Sequence, residues 1–350
     1  MMNSNIKFFL GANSNIDFIS YFKQLQEQSD SMQLLILKGG PGSGKSSLMK
    51  RIARYGEEKG HKLELIPCAS DPHSLDAIID YSANFAMMDG TAPHIEDPSL
   101  PGVLHHIIYT GDLWDTNKLL KKKDTIQKLN QSIAHCHKGG GAYIKSAAAL
   151  LMENMRYASL YMDKKEAGKF VLEKCKALPK GDAPKERTCL LSAVSVGEVK
   201  VFSQTVCALA EKIYIIDDKW GTAADYILKS IKRVALLGSM SIIHCPCSLI
   251  PHKTDHIILP DASVAFVTQN STLKFPHGEI IDAESFYRSM PLVSHMEARL
   301  SDSLYLLEKA GEMVSDAKLL HDELEAFYIE AMNFDGMDKI FNDIIKRFYR

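Results

Sequence analysis

The chain has 350 residues, enough for about two ordinary domains. Its 46% hydrophobic and 24% charged residues are the balance of a globular protein that builds its own core. A formal net charge of −2 gives no global attraction to nucleic acid or to an anionic membrane. Seven scattered cysteines do not form the pattern of a disulfide framework. No basic leader opens the chain and no run of about 18 apolar residues interrupts it, so a reduced, cytoplasmic protein is expected. The most obvious basic run, Lys121-Lys122-Lys123, reads as a solvated helix end.

Taken in chain order, the apolar segment 6–12 suits a buried strand, and Phe18, Ile19, Phe22 and Leu25 then recur at helical spacing. Residues 34–38, LLILK, form a second strand candidate that leads into GGPGSGKSS. An amphipathic helix follows and closes near Gly60. Residues 62–66 read as a strand, 74–79 as a helix, and 84–88 as an apolar strand ending at Asp89. Strands alternating with helices predict an α/β fold with a mainly parallel sheet. From residue 116 the texture becomes helical, with Leu119, Leu120, Ile126, Leu129 and Ile133 at three- and four-residue intervals. The glycines at 139–141 interrupt that pattern, and a second helical stretch runs from 143 to 175, which predicts a helical hairpin or small bundle. Gly181 and Pro184 mark a linker.

The second half repeats the first. EKIYIIDDKWGTAADYILKSI aligns beneath SMQLLILKGGPGSGKSSLMKRI without a gap, Lys38 falling on Asp217 and Ile52 on Ile231. The same offset sets Ile78 on Ile257 and the strand before Asp89 on residues 263–267; FLGANS likewise resembles LLSAVS, and LIPCAS resembles IIHCPCS. Four segments follow: a nucleotide-binding half at 1–115, a helical hairpin at 116–180, a degenerate copy of the first half at 181–300 and a helical tail at 301–350.

The chemistry sits in Gly39-Gly40-Pro41-Gly42-Ser43-Gly44-Lys45-Ser46, which fits G-x-x-x-x-G-K-[ST] at every required position and continues into Ser47. An apolar strand before it and a helix after it are the context of a P-loop NTPase fold. Glycines let the backbone N–H groups wrap phosphate oxygens, and the helix N-terminus adds partial positive charge. Lys45 brings a full charge to the β- and γ-phosphates, and Ser46 offers a hydroxyl to Mg²⁺. Asp89, at the end of an apolar strand, is the expected carboxylate for the same ion, so Lys45 and Asp89 are the catalytic candidates. No glutamate follows Asp89; Asp71, Asp76, His94, Glu96 and Asp97 are the nearby groups able to orient a nucleophile. In the second copy Ala224 replaces Lys45, Asp225 replaces Ser46, Thr268 replaces Asp89, and of the motif's glycines only Gly42 keeps a counterpart, Gly221. One nucleotide per chain is expected. His135-Cys136-His137 lies in a helical stretch, where adjacent side chains point in different directions and do not chelate together; His244-Cys245-Pro246-Cys247 lacks a second ligand pair at zinc spacing, and Cys245 aligns with Cys68 at a strand end.

The segments ILKGGPGSGKSSLMKRI, CASDPHSLDAIID, MMDGTAPHIEDPSLPG with GDLWD, and LLHDELEAFYIEAMNFDGMDKI together resemble a family of uncharacterised bacterial tandem P-loop, ATPase-like proteins over nearly the whole chain. The resemblance implies nucleotide on residues 39–46 with Asp89 of DGTAPH beside it. Relatives often keep a recognisable second P-loop, and this chain departs from them there.

Three functions fit. The leading one is an Mg²⁺-dependent ATPase that couples hydrolysis to a conformational change. A kinase for a small molecule or nucleotide is the second, although Arg51, Arg54 and Arg156 are the only arginines of the first half through its helical region. The third is a non-catalytic, nucleotide-gated interaction module. ATP is favoured over GTP because no N-K-x-D element ends a strand. A protein or small-molecule partner is expected in each case, and the helical segments suit packing within one chain or joining two into an oligomer.

Overall fold

The computed structural model describes residues 6–27 and 31–349. A two-stranded sheet of Gly11–Ser14 (β1) and Asp17–Ser20 (β2) comes first. Then follow Gln33–Lys38 (β3), Lys45–Glu58 (α1), Leu63–Pro67 (β4), Leu75–Asp80 (β5), Phe85–Asp89 (β6) and His105–Tyr109 (β7). Helices Thr116–Leu120 (α2), Lys123–Ser159 (α3) and Lys164–Cys175 (α4) come next. The second run has Glu186–Thr188 (β8), Ser192–Val194 (β9), Val199–Val201 (β10), Ser203–Leu209 (α5), Lys212–Asp217 (β11), Thr222–Leu237 (α6) and Ile242–Pro246 (β12). Thr254–Leu259 (β13), Val264–Gln269 (β14), Glu279–Asp282 (β15), Val293–Ala331 (α7) and Phe334–Phe348 (α8) close the chain.

The molecule is an α/β protein with mixed sheets. In the first, ordered β4-β5-β6-β3-β7, β3 runs parallel to both β6 and β7, whereas β4-β5 and β5-β6 are antiparallel. The expectation of a mainly parallel sheet is corrected at 74–79, where a strand stands in place of the predicted helix. Without a crossover helix, the short connections between β4, β5 and β6 permit only antiparallel pairing. The run LDAIID is short, and five of its six residues are buried, which is the case in which apolar spacing cannot separate strand from helix. Residues 18–25 likewise resolve into β2 and a 3₁₀ turn at Phe22–Gln26 rather than a helix.

A second correction concerns the glycines at 139–141, which lie inside the uninterrupted α3. Each costs about 1 kcal/mol against alanine. At Gly139 a Cβ would lie 2.9 Å from Met313 Cε of α7, so the missing side chain serves the approach of the two helices.

By its internal contacts the chain divides into a first unit, residues 1–11, 20–140 and 312–350, and a second unit, residues 12–19 and 141–311. These units cut the chain differently from the linear division into 1–115, 116–180, 181–300 and 301–350. The unit boundary falls within α3 and again within α7, so neither helical segment stands as a body of its own.

Without its edge strand β8, the second sheet, β15-β11-β14-β13-β12, repeats the order and strand senses of the first. Registers agree as well: Leu35 faces Met87 as Tyr214 faces Phe266, and Leu65 faces Ile78 as His244 faces Ile257. Even the irregularity at Ile66/Pro67 recurs at Cys245/Pro246. The helices follow the same plan with partners exchanged. In the first unit Asn333 N donates to Leu113 O at 2.9 Å and Asp115 N to Ala331 O at 2.8 Å. In the second, Asp163 N donates to Phe286 O at 2.7 Å and Arg288 N to Tyr161 O at 2.8 Å. The helix α4 that follows the first sheet thus belongs to the second unit, and the terminal α8 to the first.

Helix α1 buries Leu48, Met49, Ile52 and Ala53, one stripe of an amphipathic helix, against Leu35, Leu37, Ile78 and Met87. Met337 and Ile344 of α8 complete that core. Full burial of such side chains contributes about 1.5–3 kcal/mol each. No helix among the described residues is long and apolar enough to cross a membrane.

Candidate functional site

Strand β3, flanked on both sides by parallel neighbours, delivers the chain into the glycine loop that ends at α1. Gly42 (φ 65°) and Gly44 (φ 81°) are left-handed, and Ser43 between them is not. Alternation of this kind turns successive N–H groups inward to form an anion-binding concavity, and it explains glycine at both positions. Helix α1 starts at Lys45 with no side-chain cap, so its first amides and its partial positive charge face the same concavity.

Lys45 is buried. Its Nζ donates to Gly39 O at 2.7 Å and to Gly40 O at 2.8 Å, and lies 3.4 Å from Asp89 Oδ2. Ser46 Oγ accepts from Leu75 N at 2.9 Å and retains its hydroxyl proton and a lone pair for a further partner. Ser47 faces solvent, and Pro41 is half-buried in the loop. Asp89 ends β6 in register with Leu37, and its Oδ1 accepts from Thr91 N at 2.9 Å and Thr91 Oγ1 at 2.6 Å. The loop, Lys45 and Asp89 are therefore brought together by two adjacent parallel strands.

Of the remaining candidates, Asp76 and His94 join this group. Asp76 precedes Ala77, which faces Met88, and so stands across from Asp89 on the neighbouring strand. Burial, reinforced by the Asp89 charge, pushes the Asp76 carboxyl up to about 8. His94 Nε2 lies 3.8 Å from Asp76 Oδ2, its ring packs on Phe22 at 4.4 Å, and burial pushes its imidazole down. The others are engaged elsewhere. Asp71 pairs with Lys318 at 3.6 Å, Asp97 with Lys38 at 3.0 Å, and Glu96 accepts from Gln26 at 3.1 Å.

Sequence reasoning missed what covers the loop. Glu325 Oε1 of α7 accepts from Gly42 N at 3.2 Å. A Cβ at Gly42 would lie 2.8 Å from Glu325 O and 3.0 Å from Tyr328 Cβ, and one at Gly40 would lie 3.1 Å from Trp114. No spacing rule links residue 325 to residue 42. The sequence does align Met162-Asp163 with Met332-Asn333, each pair opening a helix, but that match says nothing of which unit each helix joins.

The equivalent loop in the second unit is closed on itself. Only Gly221 is left-handed, and α6 begins directly after it. The carboxylate of the buried Asp218 accepts from Trp220 N at 3.1 Å, Ala224 N at 2.9 Å and the Tyr287 hydroxyl at 3.1 Å. The first two are backbone amides of the kind an anion would use. Asp225 Oδ1 accepts from Thr254 N at 2.8 Å, as Ser46 does from Leu75. Thr268 is buried where Asp89 would stand. Lys253 lies against Gly221, but its ammonium is paired with the buried Asp255.

His244 Nε2 lies 3.1 Å from Thr254 Oγ1, and Cys245 Sγ packs 3.9 Å from Cys189 Sγ. His135, Cys136 and His137 lie within α3. Among the described residues, the group of His, Cys and acidic side chains close enough to share an ion is His321, Asp322 and Glu325. Comparison with protein-family models, curated proteins and solved structures finds no match to this chain.

Proposed function

We propose that this chain is a P-loop ATPase: a duplicated P-loop NTPase fold whose first copy binds Mg-ATP and whose second copy is degenerate. The observation that carries the reading is the convergence of the alternating loop at Gly42 and Gly44, the buried Lys45 and the strand-end Asp89. Phosphates would lie on the loop amides and the α1 N-terminus. Lys45 would exchange the carbonyls of Gly39 and Gly40 for β- and γ-phosphate oxygens. A hydroxyl and a carboxylate are the hard oxygen donors that suit Mg²⁺, so Ser46 and Asp89 would hold it. When bound, the ion neutralises charge on the transferring phosphoryl group. Asp76, across from Asp89 and beside His94, is the residue we assign to orient the attacking water.

Resemblance to the bacterial tandem P-loop family supports the same reading through its sequence segments. The kinase alternative gains nothing from two of its three arginines. Arg51 pairs with Asp338 at 2.7 Å and Arg156 with Glu153 at 2.7 Å. The gated-module alternative is favoured by one observation, the Glu325 carboxylate on the Gly42 amide. A cytoplasmic location and an unidentified partner belong to this proposal as well.

The test is phosphate release from Mg-ATP. Wild type turns over, and Lys45→Ala and Asp89→Ala each lose turnover by about 100-fold or more, the scale of one removed charge-stabilising group. Equal turnover in wild type and Lys45→Ala would sink the ATPase reading.

A further inference from the structure

We propose that Glu325 is a built-in competitor of the nucleotide: the end of α7 lends its carboxylate to the phosphate loop and must withdraw before phosphate can take the Gly42 amide. This inference rests on reading the loop as a phosphate site and adds how access to that site is regulated.

Chemistry gives the first ground. A carboxylate oxygen on a backbone N–H at a helix N-terminus is the same charge-assisted bond that a phosphate oxygen makes. One amide hydrogen serves one strong acceptor at a time, and Glu325 Oε1 holds that of Gly42 at 3.2 Å. Geometry gives the second. The α7 backbone itself lies on the loop, since even a methyl group at Gly42 would meet Glu325 O at 2.8 Å, Tyr328 Cβ at 3.0 Å and Ile329 Cγ1 at 3.3 Å. An anion seated there displaces more than one side-chain rotamer.

The helix turn that makes this contact is held mainly by surface partners, Trp114 against the Tyr328 ring at 5.2 Å and Lys118 Nζ donating to Glu330 O at 3.0 Å, rather than by core packing. No residue from 325 to 330 is fully buried, whereas Leu324 before it and Ala331 after it are. Glu325 also has a second partner close by on its own helix, His321 Nδ1 at 3.8 Å, to which it can turn on release. The second unit supplies the contrast. There the loop amides are taken by Asp218, a residue of the loop itself that is buried and further bonded by Tyr287. A carboxylate within the loop closes it permanently. A carboxylate on a separate helix closes it reversibly.

The experiment is equilibrium titration of Mg-ATP into the full chain and into its Glu325→Gln and Glu325→Ala variants, with amide hydrogen exchange of α7 followed in wild type. Glu325→Gln keeps the shape of the side chain and guards against a folding defect. Expected are a Kd about tenfold lower in both variants, the scale of one charge-assisted hydrogen bond that no longer competes, and faster exchange over residues 325–331 when wild type binds ATP. Binding by the variants alone would support the proposal in its strongest form. Wild type binding ATP with variants of equal or weaker affinity, or with unchanged exchange in α7, would overturn the role of Glu325 and leave the phosphate-site reading standing. No binding by any of the three proteins would overturn both.

Discussion

At Lys45, four neighbours share one ammonium: two loop carbonyls within 2.8 Å, the Asp89 carboxylate at 3.4 Å and Ser43 Oγ at 3.5 Å. A phosphate offers more charge than the carbonyls and equally short bonds, so exchange of partners needs little movement of the lysine. Asp76 is placed under opposite pressure. Burial and the Asp89 charge raise its carboxyl from an ordinary 3.8 to about 8. The folded protein therefore binds more protons here than the unfolded chain between about pH 4 and pH 8. Stability contributed at this residue falls as pH rises through that window, and the full penalty is present above it. Thermal unfolding of nucleotide-free protein from pH 5 to 9 checks this. Asp76→Asn should flatten the decline seen in wild type; identical slopes would show that Asp76 titrates normally. The loop, Lys45, Ser46 and Asp89 were legible in the sequence because motif spacing and strand ends are local features. Glu325 was not, because its contact with Gly42 spans 283 residues and has no local signature.

Elements were legible where one apolar face was clear. Helix α1 falls where its apolar stripe set it, and strands β3 and β6 where unbroken apolar runs, LLIL and FAMM, set them, whereas Asp76 breaks the run of LDAIID. Strand β5 was misread because a short segment buried on both faces has no periodicity to read. The α3 glycines were misread because helix propensity is a weak prior that tertiary contact overrides, here the approach of Met313 to Gly139. Gly141 has no neighbour within 4 Å of an added Cβ. Gly141→Ala should therefore stabilise the protein by about 0.5–1 kcal/mol through helix propensity alone. Denaturant unfolding measures it, and a loss of stability would mean that the glycine has a packing role in α3.

At the scale of the whole molecule, the repeat of strand order, register and irregularity in two sheets goes beyond what the weak sequence match could carry. The exchange of terminal helices was hidden from a linear reading because chain order and spatial membership differ. Residues 334–348 follow the second sheet yet belong to the first unit. Ile344, buried at 4% exposure in the first core, tests that membership. Ile344→Ala should cost about 2–5 kcal/mol, the range for a truncated core side chain. A loosely attached tail would lose almost nothing.

The proposed function calls for one nucleotide per chain, because Asp218 accepts from Trp220 N and Ala224 N in the second unit and alanine stands at position 224. The most direct measurement is calorimetric titration of Mg-ATP into the intact chain and into Lys45→Ala. One ATP per chain for wild type and none for the variant is the predicted result. No binding to wild type, or undiminished binding to Lys45→Ala, would contradict the proposal that residues 39–46 hold phosphate.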